Sequence, residues 1–227
     1  MRICIFDTEV NSFGSKECIQ LGAVVVDTAS AGEIISSMEQ LYMPVDPIEF
    51  ESCSVHGITP DQIKDHPESF EARGDLRSFY KKNECHVLAA HNIEFDTEVL
   101  GIRIPEKSID TLLVCQHLWP EESGKLGAVF LRMFGMTREN VEFLRGAHDA
   151  LTDCRITARV LCQILEEITP DEAVEITSKA IENVVMPFGK HRGVPVAELP
   201  IDYARWLVRE GSNLSSRLSA ALMKRIK

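Results

Sequence analysis

The sequence predicts an α/β sheet domain followed by a small basic module. Apolar, β-branched runs open the chain and return near its middle, with helical spacing between and after them. Beyond a linker over 169–183 the composition turns to Gly, Pro and basic residues, which sets the module apart.

Residues 2–6 (RICIF) form a buried strand, IQLGAVVV (19–26) a second, and the segment 33–43 holds a third. Thr59-Pro60-Asp61-Gln62 joins an N-cap, a proline at the first helical position and a capping-box glutamine, so a helix starts there. A helix over 70–82 precedes HVLAAH (86–91), the fourth strand. A short helix starts at Asp96 and runs to Leu100, a fifth strand falls within 107–110, and a helix covers 111–118. From Ala150 onward, Leu151, Cys154, Ala158, Leu161, Leu165 and Ile168 recur three or four residues apart, one face of a long amphipathic helix. Thr169-Pro170-Asp171-Glu172 repeats the helix-start pattern. The expected organisation is a sheet domain over 1–168, a helical linker over 169–183 and a basic module over 184–227.

The chain has 227 residues, 44% hydrophobic and 26% charged, enough to bury a core and too ordered in pattern for wholesale disorder. No apolar run approaches the ~18 residues of a membrane span. The opening MRICIFDTEV meets Asp and Glu within nine residues, too early for a signal peptide, so a cytoplasmic protein without a membrane partner is expected. Seven scattered cysteines without a C-x-x-C pair fit reduced thiols better than disulfides or zinc. Net charge is −11, but residues 183–227 hold eight Lys/Arg against three Asp/Glu, leaving 16 against 32 in residues 1–182. So acidic a body cannot attract a polyanion by charge alone; it needs cations at its site, with the basic tail contributing.

Asp7-Thr8-Glu9 ends the first strand. Side chains two apart on a strand share a face, so Asp7 and Glu9 can grip one metal centre, unless the strand simply ends there and both meet water. D-x-E recurs as Asp96-Thr97-Glu98, where Asp96 could instead cap a helix. His148 and Asp153 form an H-x4-D pair, but His56/Asp61 and His91/Asp96 have the same spacing, and spacing alone does not choose among them. Context favours the last pair, with Gly146 in a loop before it and Asp153 in the first turns of a well-packed helix.

In order, D-T-E at 7–9, H-N-x-x-F-D at 91–96 and H-D-A-x-x-D at 148–153 resemble the DEDD family of 3′–5′ exonucleases. VHGIT (55–59), IQLGAV (19–24) and IDTL (109–112) look like that family's intervening segments. The tyrosine subclass places its Tyr four residues before the last Asp. Here that position is Asp149 and His148 lies five before, so the chain resembles the histidine subclass. HLWP (117–120), FGKHRG (188–193) and ELPIDYARWLV (198–208) narrow the likeness to one bacterial branch.

The resemblance implies a ribonuclease H-like fold, a mixed central sheet of about five strands flanked by helices on both faces. It implies that Asp7, Glu9, Asp96 and Asp153 hold two Mg²⁺ or Mn²⁺ ions, Asp7 bridging them, Glu9 and Asp153 completing the first and Asp96 supporting the second. All-oxygen ligands suit these hard ions. His148 is implied as general base, a role suited to an imidazole, which ordinarily titrates near ~6.5. The implied reaction removes nucleoside 5′-monophosphates from the 3′ end of single-stranded or duplex DNA, in repair or end trimming.

Expected substrate contacts are Thr8, Phe13, His56, Asn92, Lys190 and Arg192. Phe13, just past the catalytic strand, stacks on a terminal base or else tucks into the core. His56 and Asn92 touch the terminal sugar or phosphate, or organise their loops. Lys190, His191 and Arg192 between Gly189 and Gly193 make a turn suited to backbone phosphate, or a solvated hairpin. Tyr203 and Trp206 read as the small module's core, and Trp119 as core of the body. Alternatives with the same chemistry are an RNA-trimming enzyme and a polymerase proofreading subunit, and homodimers occur among similar nucleases. From other classes come a non-catalytic nucleic-acid-binding protein and an acidic protein-interaction module.

Overall fold

Alternation along the first strand builds the sheet. In β1 (Arg2–Val10), Ile3 and Ile5 point to one face and Cys4 and Phe6 to the other, all buried. A computed structural model describes residues 1–30, 32–211, 214 and 216–226. β2 (Cys18–Asp27) pairs antiparallel with β1 along nearly its whole length, and β3 (Ile34–Leu41) pairs antiparallel with β2. On the other side of β1 lie β4 (Val87–Ala90) and then β5 (Ser108–Asp110), both parallel, giving the order β3-β2-β1-β4-β5. This is the mixed five-stranded sheet the resemblance implied.

Both faces are covered. Cys4, Phe6, Leu21, Ala23 and Leu88 pack with Leu76 and Phe79 of α3 (Ala72–Lys82) and Ile93 of α4 (Ile93–Val99). The opposite face takes α8 (Ala150–Ile164), whose apolar stripe lies against β1, β2 and β3. Around these sit α1 (Phe50–His56), α2 (Pro60–Ile63), α5 (Thr111–Leu118), α6 (Leu126–Phe134) and α7 (Arg138–Phe143). The capping box at Thr59/Gln62 forms as expected and starts α2, which is four residues long.

α8 ends at Ile164, short of the Leu165 and Ile168 that the sequence reading included, and two further boundary differences matter to the site. β1 continues through Val10, so Asp7 and Glu9 lie inside a paired strand, opposite Gly22 and Gln20, rather than at its end. α4 begins at Ile93, not Asp96, because the Asp110 carboxylate accepts from the backbone N–H groups of Asn92 (3.0 Å) and Ile93 (3.1 Å). Asp96 is therefore not a cap. Helices α1, α6 and α7 had no sequence expectation. The latter two gather Phe130, Phe134 and Phe143 around the Arg159 guanidinium of α8, at 4.9, 4.6 and 5.6 Å.

The chain divides into two compact units, Met1–Val174 and Glu175–Lys227. The division falls within α9 (Pro170–Glu182), which opens on a Thr169–Glu172 capping box. The second unit contains α10 (Ile201–Glu210) and α11 (Ser216–Ile226) around Met186, Val196, Leu199, Ala204, Leu207, Leu218 and Leu222. Trp206 does not belong to that core: it is 48% exposed. Ala204 and Leu207 point inward, which turns Trp206 away by about 100° on the helix. Trp119 is also only half-buried, beneath the Arg132 guanidinium at 4.3 Å. Among the described residues no helix is long and apolar enough to cross a membrane.

Candidate active site

Strand parity decides which carboxylates meet. Asp7 and Glu9 share the face of Ile3 and Ile5, toward α8, whereas Thr8 faces α4. On the α4 side, β1 pairs with β4 only as far as Ile5↔Ala89. The Thr8 N–H lies beyond that ladder and donates to Asp96 Oδ1 at 3.0 Å; the Thr8 hydroxyl donates to the same oxygen at 2.8 Å. Both Thr8 and Asp96 are buried. The side chain of Thr8, an expected substrate contact, is hydrogen-bonded to Asp96.

On the α8 side, Gly22 lies opposite Asp7, and a Cβ there would stand 2.5 Å from Ala150 O and from Leu151 N. Only glycine lets the first turn of α8 come this close. Gln20, opposite Glu9, completes the attachment: its Oε1 accepts from Ala150 N (3.1 Å) and its Nε2 donates to Asp149 Oδ2 (2.8 Å). Asp149 caps the helix by accepting from Thr152 N at 2.9 Å. Sequence reasoning gave Gln20 and Gly22 no role. The signal was there: two non-apolar residues at alternate positions of a strand that is otherwise apolar from Ile19 to Val26.

With α8 docked, Asp153 arrives beside Glu9. Glu9, His148 and Asp153 each offer an atom within 4.8 Å of one another. His148 is exposed, with its backbone in the left-handed region at φ 68°, and its N–H donates to Asp153 Oδ2 at 3.2 Å. The same carboxylate's Oδ1 is buried with no hydrogen-bond partner among the described residues. Such an orphaned oxygen is costly unless a cation or water meets it.

The charges crowd one another. Burial, then the nearby Asp96, Asp153 and Glu9, push Asp7 well above the usual carboxylate range. Burial and then Asp153, Asp96 and Asp149 raise Glu9 to about 8. Burial raises Asp96 to about 7 against the opposing hydrogen bonds of Thr8. Asp153 is raised by burial, partly offset by His148. Asp149 goes the other way, because hydrogen bonds from Gln20 and Thr152 outweigh its burial. Clustered, desolvated oxygen ligands of one sign fit hard divalent cations.

Geometry also separates the three H-x4-D pairs. His91 is locked by Thr111 Oγ1 (2.8 Å) and Gly124 O (2.7 Å), and its burial lowers it to about 4. His56 accepts from Ile58 N at 2.9 Å, burial lowers its pKa, and Asp61 points to solvent near Lys64. Only His148 stands exposed beside carboxylates. Asn92 and His148 line an open groove of about 880 Å³ with Lys125 and Asp153. Phe13 is 63% exposed, not tucked into the core, and lines a separate groove of about 590 Å³ with Phe70 and Arg73. Lys190 and Arg192 are exposed in the second unit.

A five-stranded mixed sheet with clustered carboxylates on its central strand, α4 and α8 defines a metal-dependent hydrolase type of site. Residues 4–161 match the Exonuclease (RNase T) family model, and the chain belongs to that family. Residues 176–224 match a second model, described by the words quorum-sensing-regulated virulence factor. The chain is 30% identical to a DNA polymerase III subunit epsilon-like protein of Rhodobacter capsulatus over 71% of its length, and 28% identical to the PolC-type DNA polymerase III of Bacillus cereus over 72%. Those matches span only 23% and 11% of the relatives' own lengths. A solved structure of exonuclease X in complex with 5′ overhanging duplex DNA superimposes with a TM-score of 0.62 at 27% identity. It covers 77% of this chain and 99% of that one. Exonuclease X belongs to the branch that the sequence motifs suggested.

Proposed function

We propose that this chain is a divalent-metal-dependent 3′–5′ exonuclease that shortens DNA from a 3′ end, releases nucleoside 5′-monophosphates and serves in repair or end trimming. The observation that carries the proposal is an exposed imidazole set beside clustered, desolvated carboxylates, His148 against Glu9 and Asp153. Asp7, Glu9, Asp96 and Asp153 would hold two Mg²⁺ or Mn²⁺ ions, which when bound supply Lewis-acid stabilisation of the phosphate's developing charge. His148 takes the proton from the attacking water. Asp153 holds the His148 main chain in place, Thr8 orients Asp96, and Gln20 with Gly22 seats the helix that carries Asp153.

Phe13, exposed in the loop after β1, offers a face to a terminal base. Asn92 and His56 serve the terminal sugar or phosphate, and Lys190 and Arg192 the backbone phosphates. The exonuclease X structure, which holds DNA, supports DNA over RNA as substrate. The polymerase relatives favour a second reading, a proofreading exonuclease acting on mismatched 3′ ends.

DNA and RNA oligonucleotides of one sequence, labelled at the 5′ end, test both readings with Mg²⁺, Mn²⁺ or EDTA. The expected result is a metal-dependent ladder shortening from the 3′ end, stronger on DNA and lost in Asp153→Ala. A preference for mismatched over paired 3′ ends would support proofreading. Binding without cleavage under every metal condition overturns the enzyme reading and leaves a nucleic-acid-binding protein.

A further inference from the structure

The second unit carries an aromatic and basic surface, of which the proposed function names only Lys190 and Arg192. Gly189 and Gly193, at φ 71° and 81°, bend FGKHRG into a closed loop. Arg192 N donates to Gly189 O, Gly193 N to Met186 O, and Met186 N to Val194 O. This loop brings Lys190 Nζ to 5.1 Å from the centre of the Tyr203 ring and the His191 ring to 4.5 Å from it. One turn along α10, the Trp206 ring lies 5.6 Å from Tyr203 at an interplanar angle of 29°.

The unit's core is closed by Ala204 and Leu207, so Trp206 is not needed inside, and nearly half of it faces solvent. Among the described residues Lys190 and Arg192 have no acidic partner, unlike Arg205 and Arg209, which pair with Asp202 and Glu210. The exposed indole is backed by the Tyr203 ring, Lys190 lies over that same ring, and Arg192 is exposed two residues further along the loop.

We infer that this surface binds single-stranded DNA, with a base stacked on Trp206 and the adjoining phosphates on Lys190 and Arg192. Charge supports this occupant: residues 183–227 carry eight basic against three acidic residues, while the rest of the chain is strongly acidic. A polyanion is therefore drawn to this unit and repelled by the metal-free body. Stacking requires a base with a free face, which a single strand offers and an intact duplex withholds. The inference deepens the proposed function, since it rests on nucleic acid being the substrate, and it adds a holding site on a different unit from the chemistry.

The test uses the full chain in EDTA, so that binding is read without turnover and a failure of the carboxylate site does not register. Anisotropy of a labelled thymidylate oligomer should give an affinity that Trp206→Ala weakens roughly tenfold and Trp206→Phe largely restores. Lys190→Gln and Arg192→Gln should each lower the slope of log affinity against log salt by about one. In a Trp119→Phe background, where Trp206 is the only tryptophan, the oligomer should quench fluorescence saturably. Equal affinity for Trp206→Ala, unquenched Trp206 at saturation, or equally tight binding of blunt duplex overturns the inference. A chain that binds in this way but never cleaves would refute the nuclease reading alone.

Discussion

Thr8 gives both of its donors to one oxygen, its backbone N–H at 3.0 Å and its hydroxyl at 2.8 Å from Asp96 Oδ1. The residue between the two β1 carboxylates thus fixes a third carboxylate on α4, through the opposite face of the strand. Two hydrogen bonds favour the charged form of Asp96 and oppose the burial that raises it to about 7.

Thr8→Val keeps the shape of the side chain and removes one of those donors. It should cost about 1 kcal/mol in thermal unfolding. It should also raise the Mg²⁺ concentration needed for half-maximal rate, because Asp96 then loses its proton less readily. Thr8→Ser should restore the metal requirement. An unchanged requirement in Thr8→Val would mean that the hydroxyl serves packing only.

The metal-free protein should lose stability as pH rises. Glu9 ordinarily titrates near 4.5, and in the fold it holds its proton to about 8, chiefly through burial and then through Asp153 and Asp96. Between those values the folded state binds a proton that the unfolded chain has released, so this contribution is fully present below pH 4.5 and is lost toward pH 8. Melting in EDTA should show Glu9→Gln gaining on the natural protein from pH 5 to 8, by about 2–4 °C for each 1 kcal/mol relieved. Mg²⁺ should shrink that gap. A gap that does not change with pH would refute the crowding of charge.

Gly22→Ala places a methyl 2.5 Å from Ala150 O and Leu151 N, both backbone atoms that cannot rotate away. The first turn of α8 must shift, at a cost of roughly 1–3 kcal/mol. Asp153 sits on that turn, so the rise in melting temperature caused by Mg²⁺ should shrink as well. A destabilised variant with a full Mg²⁺ response would show that the close approach serves stability alone.

His148→Asn separates proton transfer from metal holding. Asparagine tolerates the left-handed backbone at φ 68° better than alanine does. Turnover should fall by ~10²–10⁴ while the Mg²⁺ effect on melting persists. Loss of both together would make His148 a ligand rather than a base.

Elements whose pattern is strictly local were legible in the chain. The apolar runs of β1, β2 and β4 and the stripe of α8 appear where their residues predict, and α5 occupies the expected 111–118. Helix α1 was not legible because it buries so little: Phe50, its first residue, is 92% exposed. Helix α6 reads LGAVFLRMF, where Arg132 is the only polar side chain to mark its outer face, too little in nine residues to separate a helix from an apolar strand. In the second unit, Trp206 was misplaced because hydrophobicity alone does not say which of two neighbouring helical faces the core will take.

The sequence by itself determined that Asp7 and Glu9 share one face of a strand and that Asp153 rides an amphipathic helix, since alternation and helical spacing are properties of a few consecutive residues. The order of the three acidic motifs carried the family likeness. Tertiary structure alone decided which of three identically spaced histidines is available. His91 meets Thr111 and Gly124, 20 and 33 residues away, and is consumed by them, whereas His148 keeps its ring exposed beside Glu9 and Asp153. It also decided that Gln20 and Gly22 seat α8 and that Thr8 holds Asp96, because each of those contacts joins segments the chain keeps far apart.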